Sequence, residues 1–170
     1  AQLELDIHPE RQALLLGFEL HNQLAGRIDA GRLPLRSARG EARLTGEQLQ
    51  LRELDAELPR GRLAAWGSAS TAALDLQLRL ADVDVSAVHG RLLPTSLAGQ
   101  LQLSGSPRQL QIAGKLSDPR VAAQLDVGLS GAPAAPRLTI RQLNLSTRQA
   151  FAAASGTVDF AGKRGFDLAV

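Results

Sequence analysis

The chain contains no cysteine, methionine or tyrosine, and its aromatic residues are four phenylalanines and one tryptophan among 170 residues. Without cysteine there is no disulfide framework, no thiolate zinc site and no thiol nucleophile. The most apolar stretch, residues 13–18, is far shorter than the roughly 20 residues of a transmembrane helix. So few aromatic side chains also make a tightly filled core difficult to build.

Charge and motifs exclude two further classes. The 17 arginines and two lysines give a net charge of +2, and they alternate with acidic residues. A nucleic-acid interface needs a basic cluster with interleaved aromatics, so we expect no nucleic-acid partner. His8, His21 and His89 are isolated from other potential ligands, and neither a phosphate loop nor a nucleophile elbow is present. We therefore expect no enzyme activity, catalytic residue, metal or cofactor.

Apolar and polar residues alternate along most of the chain. The clearest case is Leu74-Asp-Leu-Gln-Leu-Arg-Leu80, in which four leucines share the period of a strand with one apolar face. Turn residues separate such runs at intervals of about ten residues. The pattern predicts an all-β, antiparallel, meandering sheet, with further strands around these residues: Leu3, Leu5, Ile7; Leu14, Leu16, Phe18, Leu20; Leu101, Leu103; Leu110, Ile112; Leu125, Val127; and Val158, Phe160.

Three segments share one irregularity in this alternation. The stretches 49–56, 78–85 and 138–145 each read apolar-x-apolar-x-x-apolar-x-apolar. One extra residue would turn the second half of a strand to the opposite face unless a β-bulge absorbs it. Bulges at repeated positions bend a sheet, so we predict a long, curved, repetitive sheet.

Some local alternatives stay open at this stage. Residues 9–24 have apolar residues at helical spacing as well as a strand pattern, and a single helical turn fits residues 86–93. Arg39-Gly40 has the composition of a turn. Trp66 is either a lining residue of the apolar face or a structural residue at the edge of the sheet.

An apolar sheet face must be covered by helices, by a second sheet or by curling of the sheet itself. Convincing amphipathic helices are absent, which leaves a closed β-sandwich or an open half-pipe with a Leu-lined groove. Leucine with alanine and glycine lines a surface better than it fills a core, which favours the half-pipe. The residues expected to line this groove are Leu49, Leu51, Leu74, Leu76, Leu78, Leu80, Val83, Val85, Leu101, Leu103, Leu110, Ile112, Leu125, Val127, Leu138, Ile140, Leu143, Leu145, Val158, Phe160, Phe166 and Leu168.

Four passages between Leu49 and Leu168 resemble the repetitive periplasmic region of the TamB family of AsmA-like, bridge-forming envelope proteins. The first is an apolar ladder over 49–58 followed by 61–68, and the second is the strand and turn over 76–86. The third is the Leu-x-Gly-x-Leu-x-Leu-x-Gly block at 97–105 with its Gly-x-Leu-x-x-Pro sequel at 114–119. The fourth consists of residues 152–158 together with Phe166-Asp-Leu168. Residues 1–48 resemble the family only in their general sequence pattern.

The resemblance implies one repetitive β-domain over residues 1–170, an elongated half-pipe (β-taco) cut from a longer periplasmic protein with an inner-membrane anchor. It implies passage of phospholipid acyl chains between the inner and outer membranes. The alternative is a scaffold for assembly of outer-membrane β-barrels, with a TamA-like Omp85 partner that binds outside this segment. Unfolded outer-membrane β-strands would then be partners, and the open sheet edges permit edge-to-edge self-association. A closed β-sandwich surface module is the third reading.

Overall fold

The computed structural model describes residues 1–106, 108–132, 135–160 and 165–169. Within them the chain forms one antiparallel sheet of twelve strands, in which spatial order equals chain order from β1 to β12. The predicted all-β meander is confirmed. The strands are β1 Gln2–Glu10, β2 Ala13–His21, β3 Ser37–Thr45, β4 Gln48–Glu57, β5 Arg62–Ala69, β6 Leu74–Val83, β7 Leu97–Ser106, β8 Gln109–Asp118, β9 Val121–Ala132, β10 Ala135–Ser146, β11 Phe151–Asp159 and β12 Gly165–Ala169.

The sheet is open. Strands β1 and β12 are its two edges, and the described strands pack extensively with their immediate neighbours in the sheet and not across it. Among the described residues no second sheet covers either face. This architecture is consistent with an elongated curved half-pipe, and it is not the closed sandwich that the composition left as an alternative.

Residues 9–24 form a β-hairpin, so the helical alternative is wrong there. A two-residue turn at Arg11 and Gln12 joins β1 to β2, with Glu10 opposite Ala13 and Leu3 opposite Leu20. Pairing satisfies the backbone groups between the strands and places the alternating apolar residues on one face, whereas a helix would distribute them around its circumference.

The three predicted bulges are confirmed. Register shifts occur in β4 between Leu51 and Leu54, in β6 between Leu80 and Val83, and in β10 between Ile140 and Leu143. In β6 the bulge contains Asp82, whose φ of 52° is tolerated by a short polar side chain. Each bulge keeps the apolar residues before and after it on the same face.

Arg39-Gly40 is not a turn, because Gly40 lies inside β3. The Phe18 ring of β2 lies over it, and a Cβ at Gly40 would approach Phe18 Cζ to 2.8 Å. A glycine in a strand is often covered in this way by an aromatic neighbour on the next strand. Gly40 therefore provides space for a ring and not a reversal of the chain.

No large side chain is fully buried among the described residues. The accessible surface is 11599 Å², whereas a compact globular protein of 18.0 kDa exposes about 8,000 Å². The excess is expected for a single uncovered sheet, which exposes two faces instead of one.

In the part of the chain that the structure describes, the other regular elements are two short 3-10 turns, Ile28–Ala30 and Val85–Ala87. The second overlaps the beginning of residues 86–93, for which a single helical turn was left open. Across the part of the chain that the structure describes, no helix has the length and apolar character to cross a membrane.

Candidate functional site: an apolar sheet face

Strand register places most of the apolar residues of β1 to β11 on one face of the sheet. Residues that pair directly across antiparallel strands have their side chains on the same side. Among the described side chains, the pairing can be followed from β1 to β11 without a polar residue: Ile7, Leu16, Ala42, Leu51, Gly67, Leu76, Leu103, Ile112, Val127, Ile140 and Gly156. We call this side of the sheet the apolar face.

A second row runs parallel to the first. It consists of the next residues along each strand whose side chains lie on the same face. They are Leu5, Phe18, Gly40, Leu54, Ala65, Leu78, Leu101, Gly114, Leu125, Leu143 and Ala154. With about 4.8 Å between neighbouring strands, such rows extend over roughly 50 Å. The bulges matter here, because without them the rows would cross to the polar side at β4, β6 and β10.

Larger side chains on the apolar face cover smaller ones. Of the five most buried apolar residues, Ala38, Ala42, Ala65 and Val83 lie on this face, and each is no more than 7% exposed. Ala42, for example, pairs with Leu16 on one side and Leu51 on the other. The leucines of the central strands are themselves half-buried, so the face is continuous but remains accessible from solvent.

Glycines on this face have backbone conformations that other residues rarely adopt. Gly67 and Gly99 have φ values of 141° and 148°. A Cβ at Gly99 would lie 2.1 Å from the Lys115 carbonyl oxygen, and one at Gly67 equally close to that of Asp75. Strand glycines of this kind permit close backbone approach and bending of the sheet.

Most of the predicted lining residues lie on the apolar face, and the register unites them into one surface. Val85 does not, because it belongs to the 3-10 turn after β6, where its N–H donates to Thr95 Oγ1 at 3.0 Å. Phe160 lies one residue beyond β11. The backbones of Phe166 and Leu168 pair with Val158 and Gly156, while their side chains lie outside the described residues.

The apolar face is larger than the sequence analysis predicted. It extends through β1, β2 and β3, which the predicted set of lining residues omitted although their alternation was visible. It also includes residues on strands already assigned. The additional large residues are Leu3, Leu5, Ile7, Leu14, Leu16, Phe18, Leu20, Leu44, Leu54, Leu63, Leu97, Leu116 and Leu129.

The opposite face is polar and carries ion pairs between neighbouring strands. Arg137 Nε lies 2.6 Å from Asp159 Oδ1, and Arg141 Nη1 lies 3.1 Å from Asp126 Oδ1. Such exposed pairs individually contribute little to stability. Trp66 lies on this polar face opposite Gln77, with the Arg79 guanidinium 5.9 Å from its ring centre, so it does not line the apolar face.

A shallow depression of about 510 Å³ also lies on the polar side, across β2 to β6. Glu19, Arg39, Asp55 and Arg79 contribute to its lining, and Arg39 Nη2 lies 3.5 Å from Asp55 Oδ2. Charged walls of this kind do not suit an apolar ligand, so the depression is distinct from the apolar face.

Two buried carboxylates fix the connection between β6 and β7. Asp84 accepts hydrogen bonds from the Ser86 hydroxyl, the backbone N–H groups of Thr95 and Ser86, and Arg60; these bonds lower its pKa despite the opposing effect of burial. Asp118 accepts from the Arg120 side chain and from the N–H groups of Ser96 and Arg120, which lowers its pKa to about 2. The hydrogen bonds of both carboxylates hold this part of the chain together. Both carboxylates lie at strand ends, away from the centre of the apolar face.

Comparison with family models, curated proteins and solved structures finds no match for the chain.

Proposed function

We propose that this chain is a segment of an envelope-spanning bridge whose apolar face carries phospholipid acyl chains between the inner and outer membranes. The observation that carries the proposal is the uninterrupted apolar surface from β1 to β11, on a sheet that nothing described covers. Exposed apolar surface of this extent commonly has a binding role. The TamB-like passages of the sequence supply the envelope setting.

The dimensions of the face suit a ligand that moves along it. Half of a bilayer's hydrocarbon core is about 15 Å thick, so an acyl chain is about one third as long as the roughly 50 Å rows. Each buried methylene contributes about 0.8 kcal/mol wherever it lies. Because successive strands present similar leucines and alanines, the binding energy changes little from one position to the next, which favours sliding over tight capture.

The test is native mass spectrometry of protein purified from membrane-containing extract without detergent. We expect bound phospholipid on the wild type and its loss in Leu76→Asp. The matched control is Gln77→Asp, which places the same charge on the adjacent residue of the polar face. Wild-type protein free of phospholipid contradicts the proposal, as does equal lipid on both variants. If Leu76→Asp unfolds the protein while Gln77→Asp does not, the face is a sealed core.

A second candidate function is pairing with unfolded outer-membrane β-strands, and the edge strand β1 favours it. All nine of its residues are exposed. In an antiparallel pair, residues that hydrogen-bond to the partner strand alternate with residues whose backbone groups point away from it. The two-residue turn and the hydrogen bond from Asn22 N–H to Arg36 O at 2.7 Å determine which residues of β1 belong to which group. It follows that the backbone groups of Leu3, Leu5 and Ile7 point away from β2 and are free to accept another strand.

Photocrosslinking separates these two functions. Probes at Leu76, Leu101 and Leu125 are expected to capture phospholipid if the apolar face is a conduit. Probes at Leu3 and Ile7 are expected to capture barrel-derived peptide if the β1 edge is a scaffold. Capture of peptide at both sets of positions, without lipid, favours the scaffold over the conduit.

A further inference from the structure

Two long loops meet at one end of the sheet. Because the sheet is a meander of antiparallel strands, the β2–β3 loop (residues 22–36) and the β6–β7 loop (residues 84–96) leave it at the same strand ends. Ile28 N–H donates to Val88 O at 2.9 Å, and Gly90 N–H donates to Asp29 Oδ1 at 3.2 Å. We refer to residues 22–36 and 84–96 together as the loop pair.

The loop pair is anchored firmly on its inner side. Asp84, 5% exposed, is held by its bonds to Ser86, Thr95 and Arg60, and its N–H donates to Arg60 O at 3.2 Å. Arg60 belongs to the β4–β5 turn, which lies between the two loops. The loops are thus presented on a fixed base.

The loop pair carries exposed apolar residues. Its large aliphatic side chains are 48–77% exposed although neither loop belongs to the apolar face of the sheet. They are Leu24, Ile28, Leu33, Leu92 and Leu93. Exposed aliphatic residues from two distant parts of the chain, gathered at one place, form a patch rather than single surface residues.

The exposed charges of the loop pair are mostly positive. Arg27, Arg32, Arg36 and Arg91 are all exposed, and within the described residues none of them takes part in an ion pair. The two acidic residues of the loop pair are Asp29, which receives the Gly90 N–H, and Asp84, which is buried.

We propose that the loop pair docks on the surface of an anionic phospholipid bilayer. Aliphatic side chains that enter the interface, surrounded by arginines that meet the phosphates, are the combination by which peripheral proteins bind such surfaces. Charge complementarity selects anionic lipid, and the anchored base holds in place the two loops that carry the exposed aliphatic side chains. This inference does not depend on the apolar face of the sheet binding acyl chains.

The experiment is co-sedimentation with vesicles of phosphatidylcholine, with and without phosphatidylglycerol. We expect wild-type binding that is stronger on the anionic vesicles and weaker at high salt. Arg32→Gln with Arg91→Gln should lower binding to anionic vesicles about 25-fold, since a basic residue near such a surface contributes about 1 kcal/mol. Leu92→Ser with Leu93→Ser should lower binding to both kinds of vesicle.

Two controls keep this result separate from lipid uptake by the sheet. Phe151→Ser removes a side chain that is 69% exposed at the same strand ends but eight strands further along from β3, and it should bind vesicles like the wild type. Leu76→Asp should also keep vesicle binding while it loses carried lipid. The proposal is overturned if the wild type does not sediment with anionic vesicles, or if the leucine and arginine variants bind as the wild type does.

Discussion

Strands β1 and β6 have almost the same alternating sequence but different surroundings. Leu76 and Leu78 of β6 are half-buried between β5 and β7, whereas Leu3, Leu5 and Ile7 of β1 are 55–59% exposed. Periodicity decides which face a residue occupies, and it does so equally in both strands. Burial depends on the number of neighbouring strands, which the local pattern does not contain. The same residue type therefore contributes differently to the stability of the fold in an edge strand and in a central strand.

Proline substitution should give the largest difference between the two regions. Leu101→Pro in β7 removes an N–H between two neighbouring strands, so we expect loss of the folded state or destabilisation of about 3 kcal/mol or more. Leu5→Pro removes an N–H that points away from β2, and it should change the unfolding free energy by less than about 1 kcal/mol. Urea denaturation followed by circular dichroism measures both. Equal destabilisation by the two would mean that the β1 edge is already paired.

Glycine substitution should give an intermediate difference. Gly99→Ala places a Cβ against the Lys115 carbonyl at a φ of 148°, which should destabilise the protein by about 3 kcal/mol. Gly17→Ala in β2 is the matched control, because its Cβ would meet Asp6 Cβ at an ordinary 3.6 Å. It should be neutral or stabilising by about 0.4–1 kcal/mol. Urea denaturation gives the unfolding midpoint of each variant. Equal midpoints for Gly99→Ala and Gly17→Ala would contradict this interpretation.

The smallest effect concerns acid stability at the central strands. The depressed pKa of Asp118, about 2, means that its ionised form is favoured in the folded state. Its contribution is fully present above the ordinary carboxyl pKa near 3.8 and disappears as the pH falls towards 2. Asp118→Asn should therefore flatten the pH dependence of the unfolding free energy between about pH 4 and 2. An unchanged slope in that range would assign the acid sensitivity to other carboxylates.

Periodicity was a reliable guide to the strands and to their bulges. The alternation at Leu74–Leu80 and the displaced alternation of 49–56, 78–85 and 138–145 predicted strands and bulges that the structure confirms. It failed to choose between strand and helix for residues 9–24, because the pairing of β1 with β2 supplies the deciding hydrogen bonds. Turn composition wrongly predicted a turn at Gly40, since the covering Phe18 ring lies on another strand.

The loop pair is the part of the molecule that sequence reasoning missed. A signal was present, because Gly31-Arg-Leu-Pro34 and Gly90-Arg-Leu-Leu-Pro94 are similar segments in the two loops. Their similarity does not reveal that they touch. That contact requires β4 and β5 to lie between them in the sheet, so that both loops leave from the same strand ends.

The sequence by itself determined the strands, their bulges and the division of each strand into an apolar and a polar side, because side-chain alternation and one-residue shifts are local properties of an extended backbone. Tertiary structure decided that the apolar sides of β1 to β11 join into one surface that no described residue covers, how deeply each leucine is buried, and which loops meet. These properties depend on which strands are neighbours and where the sheet ends, and they arise from hydrogen bonding between segments that are separate in the chain.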